Sequence, residues 1–565
     1  MKTNYISIRL KSILVVASAS FLIFQQAVAQ APHREEITVI APYEPTIPDV
    51  FKINIQPKIE AEEITIPQVV ISITPQKLNV THSTEPVQEA PPPAERQQEM
   101  FRNHIRGGFG NYTTPYLEFN AGSLRNPDYH LNMQLRHLSS WGQIKDYGHS
   151  AFSDNLARVS AKRFFENLTL GADVHYKNNL LHHYGFPVTD FPDTVFNTAK
   201  DDLKQRFNQA GAIITAKSNN KNREGFHYQT SLGYGYTGDL FETKEHRFEL
   251  ESDVKASYML FRSDDKQSLG LKLNAARYQL TDTLQKWNNT LITAQPYISF
   301  RYQEYEIRAG LQLAFDTDTT THFRLFPVAE GRLHLVKNRL AVFVGVDGSI
   351  EKNAFNSIAM ENPFIHSSLE YRNTLNKFRF YGGLQGSAGK RFDYKTSVSN
   401  TIAGDVLLFV NDTLAPFNRF LVIYDDMNIV QGHLSASYTI SQRLRINGGF
   451  DVFHYSPENE DKAWHKPAFK GYLESRYTHN EQLAFRASLN ASGKSWARVF
   501  DSNTRLFEEM EIKPWIDVSL GATYRLNDQL HFFVDARNIT AGRHYYWYNY
   551  PGQRLHVMAG AGFSF

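Results

Sequence analysis

A two-residue alternation of apolar with polar or small side chains recurs between residues 103 and 565 and constrains the fold more than any other feature. Every second residue from Tyr305 to Phe315 is apolar, and most residues between them are polar or small. The segments 292–302, 516–525 and 530–537 show the same pattern. Successive side chains of a strand point to opposite faces, so these segments predict strands with one apolar and one water-facing side.

The last eleven residues form a strand of the same kind that ends on an aromatic residue. One face carries Leu555, Val557, Ala559, Ala561, Phe563 and Phe565, and the other carries His556, Met558, Gly560, Gly562 and Ser564. The spacing of Gly560, Phe563 and Phe565 resembles the C-terminal signal by which bacterial outer-membrane barrels are recognised for insertion. Met558 occupies a position where that signal usually has a polar residue. The resemblance implies that the barrel-assembly machinery binds this strand; an ordinary strand of a β-sandwich is the alternative.

The connections between the predicted strands alternate in length. Short polar turns lie at 125–128, 166–167, 218–224, 263–266, 303–304, 337–338, 389–391, 441–442, 479–481 and 527–528. Longer links lie at 140–152, 182–200, 239–245, 281–288, 318–322, 351–376, 412–418, 457–465, 495–511 and 538–551. Short turns at one rim and long loops at the other are typical of outer-membrane barrels. The ten short turns join 20 strands, and the first and last strands raise the count to 22. The sequence therefore predicts an all-β fold, a large antiparallel transmembrane β-barrel.

The first hundred residues have a different character. Residues 1–29 have the basic start, apolar middle and Ala27-Val28-Ala29 cleavage site of a secretory signal peptide. Residues 30–102 contain 11 of the 23 prolines, with short β-branched pieces between them. Prolines at this density exclude a long helix and favour extended segments. We expect a Pro-rich periplasmic arm that is either poorly ordered or adds its β-branched pieces as strands to a partner.

Composition agrees with a barrel and excludes several other classes. Aromatic residues make up 13% of the chain, yet mean hydropathy is −0.43, as expected if only alternate strand residues face lipid. The 60 basic and 58 acidic residues nearly balance, so no nucleic-acid partner is indicated. The absence of cysteine excludes disulfides, thiolate metal sites and thiol catalysis.

Two motifs resemble TonB-dependent transporters, whose barrels have 22 strands. The segment 106–114, Arg-Gly-Gly-Phe-Gly-Asn-Tyr-Thr-Thr, is similar to the opening of their first barrel hairpin. The segments 538–540 and 545–554, followed by the terminal strand, are similar to their last loop and strand. The arm together with the Gly-Phe-Gly-Asn-Tyr opening also resembles plugless TonB-receptor-like barrels of Bacteroidetes-type bacteria. The resemblance implies a place in the outer membrane, surrounded by its lipid.

The arm departs from the transporter pattern. Transporters of this family carry a globular plug before the barrel, and its Gly-rich motifs do not occur in residues 30–102. The segment Glu35 to Ala41 is similar to a TonB box, which adds as a strand to TonB. Its central residues Glu36, Ile37, Thr38, Val39 and Ile40 are therefore the candidate TonB contact, with another extended piece of the arm as the alternative.

Polar groups that could carry chemistry are scattered. His182 and His183 with Asp190 and Asp193 could hold a metal, and Asp316 with Asp318 could touch calcium, but neither set is complete. Alternating charges at Glu330, Arg332 and His334, and at Asp535 and Arg537, are what a water-filled lumen contains. The aromatic run 545–550 could be a membrane girdle, a ligand-stacking surface or the core of a loop, and its position favours the girdle. We expect no enzyme, metal or cofactor.

The leading functional interpretation is an outer-membrane receptor-like barrel that takes up or captures a ligand through its long loops. The alternative is a non-transporting component of an outer-membrane complex that docks a periplasmic partner through the arm. Because inward positions such as Gly310, Gly345 and Gly560 are small, we expect side chains alone not to close a lumen this wide. The arm, in-folded loops such as 351–376 or a partner protein must then occupy it.

Overall fold

The computed structural model describes residues 101–191, 199–219, 225–258, 266–317, 320–337 and 339–565. The predicted signal peptide and all but the last two residues of the predicted arm lie outside these ranges, as does the TonB-box-like segment from Glu36 to Ile40. Within the described residues, no helix combines the length and apolar character that crossing a membrane requires.

The described chain is almost entirely β-structure. Its first thirteen strands are β1 (Asn103–Gly110), β2 (Thr114–Gly122), β3 (Tyr129–Ser140), β4 (Phe152–Phe164), β5 (Leu168–His182), β6 (Lys204–Ser218), β7 (Gly225–Gly238), β8 (Lys244–Tyr258), β9 (Lys266–Thr281), β10 (Lys286–Tyr302), β11 (Tyr305–Thr317), β12 (Thr321–Val336) and β13 (Leu340–Glu351). A single short helix follows, α1 (Phe355–Glu361), among the described residues.

The remaining strands complete the wall and add two small hairpins outside it. They are β14 (Thr374–Ala388), β15 (Phe392–Asn411), β16 (Phe420–Thr439), β17 (Leu444–Pro457), β18 (Phe469–Thr478), β19 (Leu483–Ser492), β20 (Ser495–Asp501), β21 (Leu506–Ile512), β22 (Trp515–Arg525), β23 (Leu530–Arg537), β24 (Tyr545–Trp547), β25 (Tyr550–Pro551) and β26 (His556–Ser564). β20 pairs only with β21, and β24 only with β25, so both hairpins lie within loops.

The wall is a closed antiparallel sheet of 22 strands, as the turn pattern predicts. Each strand pairs with its neighbour along the chain, and β26 closes the ring by pairing with β1. The closing register sets Ile105 opposite Phe563 and Arg106 opposite Gly562. Because the ring has no free edge, every wall strand has hydrogen-bonding partners on both sides, which the bilayer core requires of any spanning structure.

The alternation places the apolar residues on the outer face. Phe563 and Phe565 are 41% and 49% exposed there, and Val344, Ile516 and Leu520 are similarly exposed on their own strands. Opposite-parity residues such as Arg106 and Asp535 form ion pairs on the inner face. Lipid can cover the apolar outer face, so the exposed hydrophobic residues of the wall indicate a membrane-spanning surface.

Two of the small inward residues lie under an aromatic side chain from a neighbouring strand. A Cβ atom added to Gly560 would lie 2.5 Å from the ring of Phe533, and one added to Gly345 would lie 2.4 Å from the ring of Tyr381. One added to Gly310 would instead meet the backbone oxygen of Pro296 at 2.6 Å. Gly560 and Gly345 therefore seat aromatic side chains against the inner wall, as glycines opposite aromatics do in other sheets.

Both rims agree with the predicted turns, with two corrections. The links predicted as long at 281–288 and 318–322 are short, since β9 and β10 are separated by four residues, 282–285, and β11 and β12 by three. A strand needs about 10 residues to cross the bilayer, whereas β9 and β10 have 16 and 17. These hairpins continue past the membrane, so the change from apolar to polar residues marks the membrane boundary and not the end of the strand.

Candidate functional site

The long-loop rim is closed by loops that meet over its centre. We call the described residues of 183–203, 352–373, 412–419 and 538–555 the cap. The amide of Asn418 donates a 2.6 Å hydrogen bond to the backbone oxygen of His183. Asn418 follows β15 and His183 follows β5, ten strands apart in a ring of 22. This contact therefore joins nearly opposite sides of the mouth.

The loop 352–373, which contains α1, lies across the mouth and not upright above the wall. Thr237 at the end of β7 donates to Asn356 (2.9 Å). Farther along the loop, the hydroxyl of Thr243 donates to the backbone oxygen of Ser367 at 3.1 Å. Its neighbour Ser368 donates to Asp282 in the β9–β10 turn at the same distance, 3.1 Å. The polar ends of these strands thus hold the loop in place, in agreement with the expectation that 351–376 folds inward.

An apolar core fills the cap. It is formed by residues from five wall strands and two loops that are all at most 8% exposed: Leu181, Phe207, Leu280, Phe355, Ile358, Ala359, Ile365, Leu369, Tyr371, Leu407, Phe409, Phe420, Val422 and Tyr550. Phe355, Ile358 and Ala359 lie on one face of α1, which explains why this short helix forms despite its length. A buried core of this kind makes the closed mouth a folded layer and not a set of independent loops.

Tyr550 is the residue at which the loops of the cap meet. Its ring stacks on Phe364 with centroids 3.7 Å apart, and it meets Tyr184 at 4.9 Å and Phe420 at 5.8 Å. Its hydroxyl donates a short hydrogen bond to the backbone oxygen of Asn418. Burial raises the pKa of Tyr550 well above its ordinary value, so the hydroxyl stays protonated and remains a donor.

The β15–β16 hairpin supplies the far side of the cap. A register shift between Ala403 and Val406 interrupts its ladder, and a bulge of this kind bends a hairpin. Beyond the bulge both faces of the hairpin are buried, with Phe409 facing the cap core and Leu408 covered by Trp464. The indole N–H of Trp464 donates to Glu460 (2.7 Å), which also binds Arg498 at 2.9 Å.

A cavity of about 860 Å³ lies between the underside of the cap and the wall formed by β1–β5 and β22–β26. Its cap side is aromatic, with Tyr184, Phe364 and Trp547 among the lining residues. Its wall side is charged and includes Arg136 and Asp154. A volume of this size fits a small molecule, and an aromatic face opposite polar groups is common in ligand pockets. A second cavity of about 560 Å³ lies on the opposite wall.

The predicted assembly signal lies on β26, in the strand that closes the barrel. Phe563 and Phe565 point outward with their rings 5.7 Å apart, and Gly560 faces inward under Phe533. The structure thus places the two aromatic residues where a membrane-embedded partner can reach them, and recognition by the assembly machinery stays a prediction.

The histidine and aspartate sets do not converge. Among the described residues, no group of three or more His, Asp, Glu or Cys side chains could hold a metal. His182 and His183 are buried in the cap, whereas Asp193 and Asp318 lie outside the described ranges. Asp316 accepts hydrogen bonds from Asn289 (2.8 Å) and Asn373 (3.3 Å), which explains its burial.

The alternating charges on the inner wall pair with each other. His334 and Arg332 both contact Glu306 on the next strand, at 3.2 and 3.8 Å. Asp535 contacts Arg106 at 3.2 Å and Arg486 at 2.8 Å, which ties β23 to β1 and β19. These are the inward ion pairs expected of a wet lumen.

The aromatic run 545–550 lies in the loop core and not in a membrane girdle, which corrects the position-based interpretation. Tyr550 is 1% exposed, and Trp547 packs 4.9 Å from Phe409. Girdle residues and loop-core residues both lie near the ends of strands, so position in the sequence does not distinguish them. The deciding contacts come from residues more than 100 positions away, which the sequence pattern does not reveal.

Comparisons with known proteins show the fold. Models of known protein families give no match, and neither do characterised protein sequences. Among solved structures, the chain is similar to the pyoverdine outer membrane receptor FpvA from Pseudomonas aeruginosa (TM-score 0.63, 12% identity, 83% of this chain and 79% of that chain). It is also similar to the ferric-catecholate import receptor Fiu from E. coli (0.61, 10%, 82% and 82%) and the siderophore receptor PirA from Acinetobacter baumannii (0.62, 10%, 82% and 80%).

Identities this low indicate a shared fold alone. The chain shares with these receptors the fold of a closed 22-stranded β-barrel. With its apolar outer face, this fold places the protein in the outer membrane.

Proposed function

We propose that this protein is an outer-membrane receptor barrel that captures or imports a ligand at the cell surface, with the cap as its closed entrance. The observation that carries the proposal is the folded cap over the mouth, joined across its centre by Asn418 and His183. The ligand-sized cavity beneath the cap and the similarity to barrels named for siderophore import support the same function.

Planar-bilayer conductance tests the cap as an entrance. The side chain of Asn353 donates to the backbone oxygen of Arg372 (2.9 Å), so the ends of the α1 loop are close and a short Gly-Ser link can replace 354–371. We expect the full chain to conduct little and this variant to conduct as a wide pore. The matched control replaces only the tip of the β20–β21 hairpin, 501–506, whose flanking residues Phe500 and Phe507 are also paired. A wide pore in the unmodified protein would contradict the proposal.

Sidedness is tested with single cysteines in this cysteine-free chain. Ser502→Cys lies at the exposed tip of the β20–β21 hairpin, and Asn527→Cys lies in the exposed β22–β23 turn. The first should react with an impermeant maleimide in intact cells, and the second only after the outer membrane is opened. The reverse result would place the cap on the periplasmic side and contradict a surface receptor.

For the arm, we propose that residues 30–102 are periplasmic and that Glu36 to Ile40 bind TonB as an added strand. Purification from membranes with and without residues 30–100 separates this function from the rival one. A small molecule that stays bound to the barrel without its arm supports a receptor. A defined protein partner that is lost with the arm supports the complex-component interpretation instead.

A further inference from the structure

Three basic side chains come together inside the cap. The contact between Asn418 and His183 brings the β5–β6 loop against the β15–β16 loop. The next residue is Arg419, and Phe420 then exchanges backbone hydrogen bonds with 364–366, accepting from His366 (2.8 Å) and donating to Phe364 (3.1 Å). The fold therefore assembles Arg419, His183 and His366 from three separate loops.

His183 has no hydrogen-bond partner for either ring nitrogen among the described residues, although it is only 1% exposed. An imidazole always carries at least one N–H, and buried polar groups are nearly always satisfied by protein, water or ligand. The neighbouring ring of Phe364, 6.4 Å away, offers no acceptor of conventional strength. The ring of His183 is thus a buried hydrogen-bonding group that an acceptor atom of a ligand can satisfy.

Arg419 is also unpaired within the described part of the chain. Its guanidinium lies 4.8 Å from the ring of Phe241, and no described carboxylate forms an ion pair with it. The acidic residue of the same loop, Asp412, instead accepts the backbone N–H of Leu414 at 3.2 Å. Arg419 is half-buried, and a partly desolvated guanidinium without an ion-pair partner favours the binding of an anion.

His366 can supply a further donor. Its Nδ1 faces the backbone N–H of Ser368 (3.3 Å) and accepts from it, so in the neutral ring the proton is on Nε2. Burial first, and then the charges of Arg419 and His366, lower the pKa of His183 well below its usual value, which reflects how close the three groups are. The charged side chains that contribute most to that shift, Arg419, His366 and His182, are all basic.

We propose that Arg419, His183 and His366 form a binding site for an oxyanion, a carboxylate or phosphate group of a ligand. This assignment defines a ligand class for the receptor proposed above, and it rests on that proposed function. His183 is buried in the cap, whereas Arg419 and His366 are both half-buried. The anion accepts hydrogen bonds from all three side chains and neutralises the guanidinium. Because the three residues belong to three loops, a bound anion also holds the cap together.

Calorimetric titration of the purified full-length barrel with inorganic phosphate, sulfate and acetate tests the site. We expect saturable binding of at least one of these anions by the unmodified protein. Arg419→Gln, which removes the charge and keeps a shorter polar side chain, should weaken that binding by at least about tenfold, the cost of losing a charge-assisted hydrogen bond. Arg419→Lys should retain part of the affinity.

The matched control is Arg443→Gln in the exposed β16–β17 turn, which should bind as the unmodified protein does. Heat-modifiable mobility shows that each variant is folded. Absent binding, or equal binding by Arg419→Gln and the unmodified protein, would overturn the site. If the anions do not bind but removal of 354–371 still opens the pore, the receptor proposal stands and the oxyanion assignment fails.

Discussion

The wall and the cap of this protein are built in opposite ways. In the wall, each strand contacts its neighbours along the chain, and a repeated two-residue pattern sets which side faces lipid. In the cap, residues as distant as Tyr184, Phe364 and Tyr550 form one aromatic cluster. The wall is stabilised by continuous hydrogen-bond ladders, whereas the cap is stabilised by a compact apolar core. The cap can therefore loosen while the wall stays intact, which a gated entrance needs.

The largest expected effect breaks the wall. Replacing Phe563 and Phe565 together with Asp should abolish assembly, because both point toward lipid and form the proposed recognition signal. Heat-modifiable mobility and protease sensitivity in the periplasm measure the loss. Ser564→Asp is the control, since this neighbour on the same strand faces the lumen and should tolerate charge. Normal insertion of the double variant would contradict the signal.

A change at Tyr550 should damage the cap alone. Tyr550→Ala removes a fully buried ring and should cost the cap about 4 kcal/mol, as other large aromatic truncations do. Protease cleavage within 352–373 should become fast, while the wall keeps its heat-modifiable mobility. Tyr546→Ala, in the same hairpin but 54% exposed, is the matched control. Loss of the whole barrel would show that the two regions are not separable.

A change at Gly560 should damage the wall alone, and somewhat less. A Cβ at this position would lie 2.1 Å from the backbone oxygen of Gly107 as well as against Phe533. We expect Gly560→Val to cost about 3 kcal/mol through overpacking at the closing seam. Gly331→Val is the control because nothing lies within 4 Å of its added Cβ. Urea unfolding in detergent should shift for the first variant and not for the second.

The smallest expected effect is a pH dependence of stability in the cap that the wall should not share. Burial lowers the pKa of His465, beside the cap, to about 4. Its unfolded form, with a pKa of about 6.5, binds a proton first as the pH falls. Stability of the cap should therefore be constant above about pH 6.5, decrease down to about pH 4 and then level off.

Tryptophan fluorescence during denaturant titration follows this effect, since Trp547 lies 5.3 Å from His465. His465→Asn keeps a donor for the backbone oxygen of Phe409 and cannot titrate in this range. The variant should lose less stability than the unmodified protein between pH 7.5 and 4.5. An equal loss in both proteins would assign the effect to other groups.

The wall could be predicted from sequence because its contacts are local in pattern. The alternation at 305–315 and 516–525, together with the ten short turns, was enough to predict the number of strands and which face of each strand is apolar. The cap could not be predicted in the same way. The partner of Asn418 is 235 positions away, and nothing in the residues near either one indicates the contact. The interpretation of Tyr550 was wrong because long-range packing buries this residue in the cap. The length predicted for the 281–288 link was wrong because the strands extend beyond the membrane into a polar segment.

The position of Tyr550 in the chain also fixes an order of events. It precedes β26, the strand that completes the ring, by only six residues. Its partners Tyr184, Phe364 and Phe420 belong to hairpins farther round the ring, and they have no centre to pack around until the two ends of the ring come together. A barrel whose first and last strands have not yet paired is consequently open at the mouth. Sealing of the entrance and closure of the ring become a single late step of biogenesis.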